Sequence, residues 1–279
     1  ARAAGPLPAG PGAPVFDPDL AGRYRGLRVA IARDEAFWFY YPDALAWVEF
    51  LGVELLPFSP LHDAQMPDNA HGIWIGGGFP ERHAPALAAN QAMIEQVRGA
   101  WRRGVPFYAE CGGFQYLLEE LVTDQPHAMA GCLQGSSTMH SRLQGLGYRQ
   151  ADPAAPGAGA AASGAAAPDG AAAGDGGERG DGHRAPGPNT VRGHVFHYSR
   201  AEGIDGQRAW SLYRATGDFE RHDGVITDTA LASYLHLHFP TQPGVAAEFL
   251  DRCRAYADRT GDAAPSGRRG SGRDDGEPS

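Results

Sequence analysis

Short apolar runs and stretches of helical period alternate along the first half of the chain. "LRVAIARD" (27–34) is β-rich and ends in Arg33 and Asp34. It predicts a strand whose polar end falls at the carboxyl edge of a sheet, where open α/β folds hold their ligands. "YYPDALAWVEFLG" (40–52) has Pro42 near a helix start, apolar residues at helical spacing and Gly52 as a stop. Strands follow at "VELLPFS" (53–59) and "GIWIGGG" (72–78), then one long amphipathic helix over 85–104. "VPFYAEC" (105–111) reads as a buried strand and "GGFQYLLEEL" (112–121) as the helix after it. This alternation implies an α/β fold with a mostly parallel sheet and helices on both faces.

The pattern lapses over 151–189, where Ala, Gly and Pro dominate. So few large apolar side chains cannot offset the entropy of ordering, which predicts a disordered surface insertion. Regular patterning resumes at "VRGHVFHYSR" (191–200), runs through "WSLYRATG" and "DGVITDTALASYLHLHF", and closes with a helix near 243–257. The expected organisation is a flexible lead over 1–25, one domain over 26–257 carrying the insertion, and a disordered tail over 258–279. No internal repeat is present.

Charge and composition narrow the functional classes. With 33 acidic against 24 basic residues the net charge is -9, which argues against nucleic-acid or anionic-membrane partners. Every basic residue is an arginine, and a chain without lysine cannot form a Walker A phosphate loop. No ATP site is therefore expected in this chain. Cys111, Cys132 and Cys253 are odd in number and lack CxxC spacing, so neither a disulfide framework nor a metal cluster is expected, and a cytoplasmic setting fits. The opening residues do not resemble a signal peptide, and no apolar run is long enough to span a bilayer.

The strongest chemical signal is Cys111, set between a strand and a helix. A thiol on such a turn stands clear of the sheet, and the positive end of the helix favours its thiolate. Ala109 and Gly113, two positions either side, supply the small neighbours a nucleophile elbow needs. The Gly112 N–H would form half of an oxyanion hole, and Gly77 or Gly78 in "IGGGFPE" the other half. A thiolate acting on an amide also needs a proton shuttle, for which "SYLHLHF" offers His236 and His238. Two residues apart on a strand, both would share a face. Cys132 and Cys253 lack the elbow and read as structural, while His62, His71, His83 and His222 lie in polar stretches and read as solvated.

The blocks "RDEAFWFYYPDAL", "FSPL", "GGGFPE", "AECGGFQYL", "GHVFHYS" and "SYLHLHF", in this order, resemble the C-terminal glutamine amidotransferase half of the cobyrinic (hydrogenobyrinic) acid a,c-diamide synthase family. The resemblance covers about residues 27–257 and implies a flavodoxin-like class I amidotransferase fold. It implies that Cys111 is the glutaminase nucleophile and His236 its histidine. Related class I enzymes place a glutamate two residues after that histidine. Here the place holds His238, a candidate for the third triad position, and the orienting partner of His236 is left unassigned. The implied partners are L-glutamine, a cobyrinate-type corrinoid and an ATP-binding synthetase domain or subunit. ATP and Mg2+ are expected only with that synthetase, which this chain does not contain. Arg33, Asp34, Tyr40, Tyr41, His194 and His197 are candidates for a face toward the corrinoid or the synthetase. Two other readings stand beside this one: a non-catalytic interaction module that keeps the fold, and the amidotransferase part of a related tetrapyrrole amidase such as cobyric acid synthase.

Overall fold

The computed structural model describes residues 17–155, 187 and 189–262. In chain order the first elements are β1 (Arg28–Ala32), β2 (Phe37–Phe39), α1 (Pro42–Phe50), β3 (Glu54–Phe58), β4 (Gly72–Ile75) and β5 (Gly77–Gly78). Next come α2 (Ala84–Ala89), α3 (Gln91–Arg102), β6 (Phe107–Glu110) and α4 (Gly112–Leu117). A strand-rich stretch follows: β7 (Glu120–Val122), β8 (Pro126–Ala128), β9 (Ser136–Met139), β10 (Gly145–Pro153), β11 (Val191–His197) and β12 (Ser199–Glu202). The chain closes with β13 (Trp210–Tyr213), β14 (Phe219–Asp223), β15 (Val225–Ile226), β16 (Ala230–Ser233), β17 (His236–Leu237) and α5 (Pro243–Thr260).

The central sheet has the order β15-β16-β6-β4-β1-β3, parallel except for the edge strand β15. Its inner strands are buried on both faces, which is why β4 and β6 read as continuous apolar runs. Alternate residues feed two cores. Ala30, Ile73, Ile75, Phe107 and Ala109 pack with Met93 and Val97 of α3 and Phe114 of α4. Val29, Ile31, Trp74 and Tyr108 pack with Trp47 of α1 and Phe249, Leu250 and Cys253 of α5. Each such large side chain contributes roughly 1.5–3 kcal/mol on burial, so the two clusters fix the sheet between its helices.

An antiparallel sheet of order β14-β13-β10-β11-β17, a smaller mixed sheet of order β12-β9-β7-β8 and the two-stranded pair β2-β5 complete the described part of the domain. Strand β17 joins the site to this layer, since His194 of β11 pairs directly with His236.

Several element boundaries differ from expectation. The helix expected over 85–104 is two, broken at Asn90, whose Oδ1 caps α3 through the Met93 N–H while its amide donates to the Pro60 and Asp63 carbonyls. Helix α4 stops at Leu117 because the loop N–H groups of Ala130, Gly131, Cys132 and Leu133 take the carbonyls of Tyr116, Leu118 and Leu117, and 120–122 leave as β7. The insertion expected from 151 begins later. Ala151 to Pro153 complete β10 against β13, and Ala151 is fully buried, a small apolar residue that composition alone could not separate from its Ala-rich surroundings. The lead is shorter than 1–25, because Tyr24 is buried and its hydroxyl donates to Asp251 at 2.8 Å. The tail likewise starts later than 258, since α5 runs to Thr260 and Asp262 pairs with Arg28 at 2.8 Å. The rest of the lead, insertion and tail lies outside the described residues.

Candidate active site

Strand β6 ends at Glu110, and Cys111 turns the chain into α4 with φ 48° and ψ -101°. Among the described residues it is the one non-glycine with positive φ. A side chain in such a sparsely populated region costs roughly 1–3 kcal/mol and persists only where its surroundings hold it. Here the Cys111 N–H donates to the Ser233 carbonyl at 2.7 Å, and its own carbonyl accepts from the Gln115 N–H at 3.0 Å. The turn leaves no room beside it. A Cβ on Gly113 would lie 2.2 Å from the Ile75 oxygen, and one on Gly112 would lie 2.9 Å from Pro80 Cδ and 3.2 Å from the Gly78 nitrogen.

His236 reaches the same place from the other layer and is 4% exposed. Its ring stacks on His194 at 4.7 Å between centroids and 12° between planes, and Phe39 meets it edge-on at 5.0 Å. A Cβ on Gly77 would sit 2.4 Å from the His236 Cε1, so a glycine there makes space for the imidazole. Burial works against the charged ring, but Cys111 and then Glu110 outweigh it and hold the His236 pKa above the usual imidazole range. His194 moves the opposite way, down to about 4, through burial and then the neighbouring His236, while its Nδ1 meets the Tyr41 hydroxyl at 2.9 Å.

A cleft opens over the thiol, lined by Gly78, Phe79, Glu81, Gln115, Phe196 and His197 as well as Cys111. The Cys111 thiol lies 3.8 Å from the Phe196 carbonyl. Gln115 is buried, its amide donates to Ser199 Oγ at 2.6 Å, and its Oε1 has no hydrogen-bond partner among the described residues. A buried acceptor left open at a cleft wall suits a ligand donor. Burial also raises the Glu81 carboxyl.

The expected outer face separates into distinct environments. Asp34 is a structural hub whose Oδ1 accepts from the Ala36 and Phe37 N–H groups and whose Oδ2 accepts from Ser59 Oγ and the Leu61 N–H. Tyr40 is tied inward, donating to the Ala32 carbonyl and accepting from the Gly76 N–H at 2.8 Å. Arg33 is exposed, whereas Tyr41 and His194 stand together beside His236. His238 lies just beyond the strand that carries His236. Strand β17 ends at Leu237, and the His238 ring is held by Asp43 at 2.8 Å and Thr241 at 3.3 Å. Of the other cysteines, Cys132 is pushed up to about 12 by burial, and Cys253 packs in the α5 core. His71, expected to be solvated, is 1% exposed and accepts the Arg28 N–H through Nδ1 at 3.1 Å.

His197 lines the cleft with its tautomer fixed. Nδ1 donates to the Ser199 carbonyl at 2.8 Å, and Nε2 accepts from Arg221 at 3.0 Å. Burial and then Arg221 lower its pKa to about 3. Between about pH 3 and 6.5 the unfolded chain binds a proton here that the folded chain refuses, so stability falls as pH falls through that window. Urea denaturation at pH 7 and pH 4 is expected to show His197→Gln losing less stability on acidification than the parent chain, by on the order of 2 kcal/mol.

Glu110 and Gln115 were not singled out from sequence. The available signal was a carboxylate ending an otherwise apolar strand, and an amide one helical turn beyond the cysteine.

Comparison with known proteins agrees with this architecture. Residues 28–243 match the CobB/CobQ-like glutamine amidotransferase domain. The chain is 39% identical over 259 residues to a cobyrinate a,c-diamide synthase of Dehalococcoides mccartyi, covering 90% of this chain and 49% of that protein. It is 39% identical over 235 residues to the enzyme of the same name from Salmonella typhimurium, covering 82% of this chain and 45% of that one. The chain thus spans about half the length of these curated relatives. A solved glutamine amidotransferase structure superimposes with a TM-score of 0.53 at 14% identity, covering 81% of this chain and 98% of its own, a likeness of fold.

Proposed function

The chain belongs to the CobB/CobQ-like glutamine amidotransferase domain family, and from that premise we propose that it is the glutaminase half of an ATP-dependent cobyrinate- or hydrogenobyrinate-type a,c-diamide synthase. The observation that carries the reading is the strained elbow at Cys111, with its thiol beside a buried His236 and under the glycine backbone of Gly78 and Gly112.

In this reading the Cys111 sulfur attacks the side-chain carboxamide of L-glutamine. The carbonyl oxygen becomes an oxyanion held by the Gly112 N–H and a backbone N–H from Gly77 or Gly78. His236 gives its proton to the departing nitrogen, ammonia leaves, and a glutamyl thioester remains on the sulfur. Water activated by His236 then releases glutamate and restores the thiol. The open Gln115 Oε1 is positioned to accept a donor from the bound amino acid. Ammonia passes to a synthetase partner that binds ATP and Mg2+ and activates a corrinoid carboxylate.

The test is glutamate release from L-glutamine by the chain, alone and with the ATP-binding half of a cobyrinate a,c-diamide synthase added. Slow release alone and faster release with the partner and its substrates are expected. Absence of release in every mixture would favour the interaction-module reading instead.

A further inference from the structure

Resting on the glutaminase reading, we propose that Glu110 is the positioning residue of His236, its buried carboxylate facing Nδ1 of the imidazole and fixing which ring nitrogen serves Cys111.

The two side chains are each 5% exposed, and Glu110 Oε2 lies 3.6 Å from His236 Nδ1. That is within ion-pair range and slightly longer than a hydrogen bond. Among the described residues Nδ1 has no hydrogen-bond partner although it is buried. A buried ring N–H carries a large desolvation cost when unpaired, and Oε2 of Glu110 is a carboxylate oxygen that faces it. The other oxygen, Oε1, is already committed, accepting from the Tyr108 hydroxyl at 2.6 Å and from the Leu237 N–H at 3.0 Å. These bonds anchor the carboxylate to β6 and to the residue directly after His236. Oε2 is therefore presented to the imidazole by a carboxylate that is itself held.

The elbow explains how adjacent residues reach one ring. On a regular strand the side chains at 110 and 111 would point to opposite faces. The positive φ at Cys111 breaks that alternation, so the thiol and the carboxylate both act on His236. With Nδ1–H directed at Glu110, Nε2 is left to exchange the proton with Cys111 and with departing ammonia. His238 cannot take this role, because its ring is turned to Asp43.

Glu110→Gln is the informative variant. A glutamine carbonyl can keep the bonds from Tyr108 and Leu237 while its amide N–H faces Nδ1, which would then have to accept and so carry its proton on the wrong nitrogen. Glutamine hydrolysis is expected to lose about 10²–10⁴-fold in kcat with little change in KM. The titratable groups acting on His236 include Glu110 from β6, Cys111 from the elbow, and His194 and His197 from β11. Its NMR titration midpoint, measured in both chains, is expected to fall by about one unit or more when Glu110 is neutralised. Alkylation of Cys111 by iodoacetamide should shift its pH dependence with it. Neither of these two readouts needs turnover, so they test Glu110 even if the chain proves inactive on glutamine. Glu110→Asp keeps the charge and should retain most of the raised titration even where rate is lost, which covers a failure of the Gln variant to fold. Unchanged kcat, or an unchanged His236 midpoint and alkylation profile in a folded Gln variant, would overturn the assignment. A midpoint in the Asp variant that drops to the ordinary histidine range would do the same.

Discussion

Replacing Cys111 with alanine is expected to lower glutamine hydrolysis about 10⁴-fold or more while leaving the fold in place. The substitution removes one sulfur from a side chain that is 5% exposed, so little packing is lost. The hydrogen bonds that hold the turn, from the Cys111 N–H to Ser233 and from Gln115 back to the Cys111 carbonyl, involve only backbone. The two effects can therefore be separated. Steady-state glutamate release measures the chemistry, thermal denaturation measures the fold, and mass spectrometry after acid quench looks for the glutamyl adduct. The adduct should form on the parent chain and be absent from the variant. An alanine variant that still releases glutamate at the parental rate would reject the proposed nucleophile outright.

Gly113→Ala is expected to damage fold and chemistry together. The added methyl group would lie 2.2 Å from the Ile75 oxygen and 2.8 Å from its carbonyl carbon, against a backbone that cannot step aside. Helix α4 would have to lift from β4, stretching the bond from the Gly113 N–H to the Gly76 carbonyl, now 3.1 Å. Overpacking of this kind costs about 3 kcal/mol, and for a domain of this size that lowers Tm by roughly 6–12 °C. Because α4 starts at the elbow, the thiol would move with it, so the folded fraction should also show a reduced kcat. Measuring Tm and kcat on the same preparation checks both. A variant with parental values of each would mean that α4 is not seated on the β4 backbone.

The central sheet was legible because strands buried on both faces must be largely apolar, and β1, β4 and β6 are, apart from Arg28 and Glu110 at strand ends. The elbow was legible for a related reason, since a cysteine flanked by Ala109 and Gly113 has few sterically sensible uses. What escaped the sequence depends on direction. Whether the Cys111 thiol comes to the same imidazole as the Glu110 carboxylate is decided by the φ of Cys111, which composition and periodicity do not encode. The His236 and His238 pair looked equivalent in the HxH motif, but β17 ends at Leu237 and the His238 ring pairs with Asp43. Asp34 had the polarity of a ligand, yet it serves four bonds within the framework. A carboxylate that caps a loop and one that awaits a substrate look alike until their donors are known.

The thiol rides on β6 of the parallel layer and the imidazole on β17 of the antiparallel one. Between them, along the polypeptide, lies the stretch joining β10 to β11. A single break in that stretch would leave sulfur and imidazole on separate fragments that meet only by complementation, across the β6–β16, β10–β11, β10–β13 and β9–β12 ladders. Competence would then depend on how firmly the two pieces reassociate, and continuity of the chain would not be required.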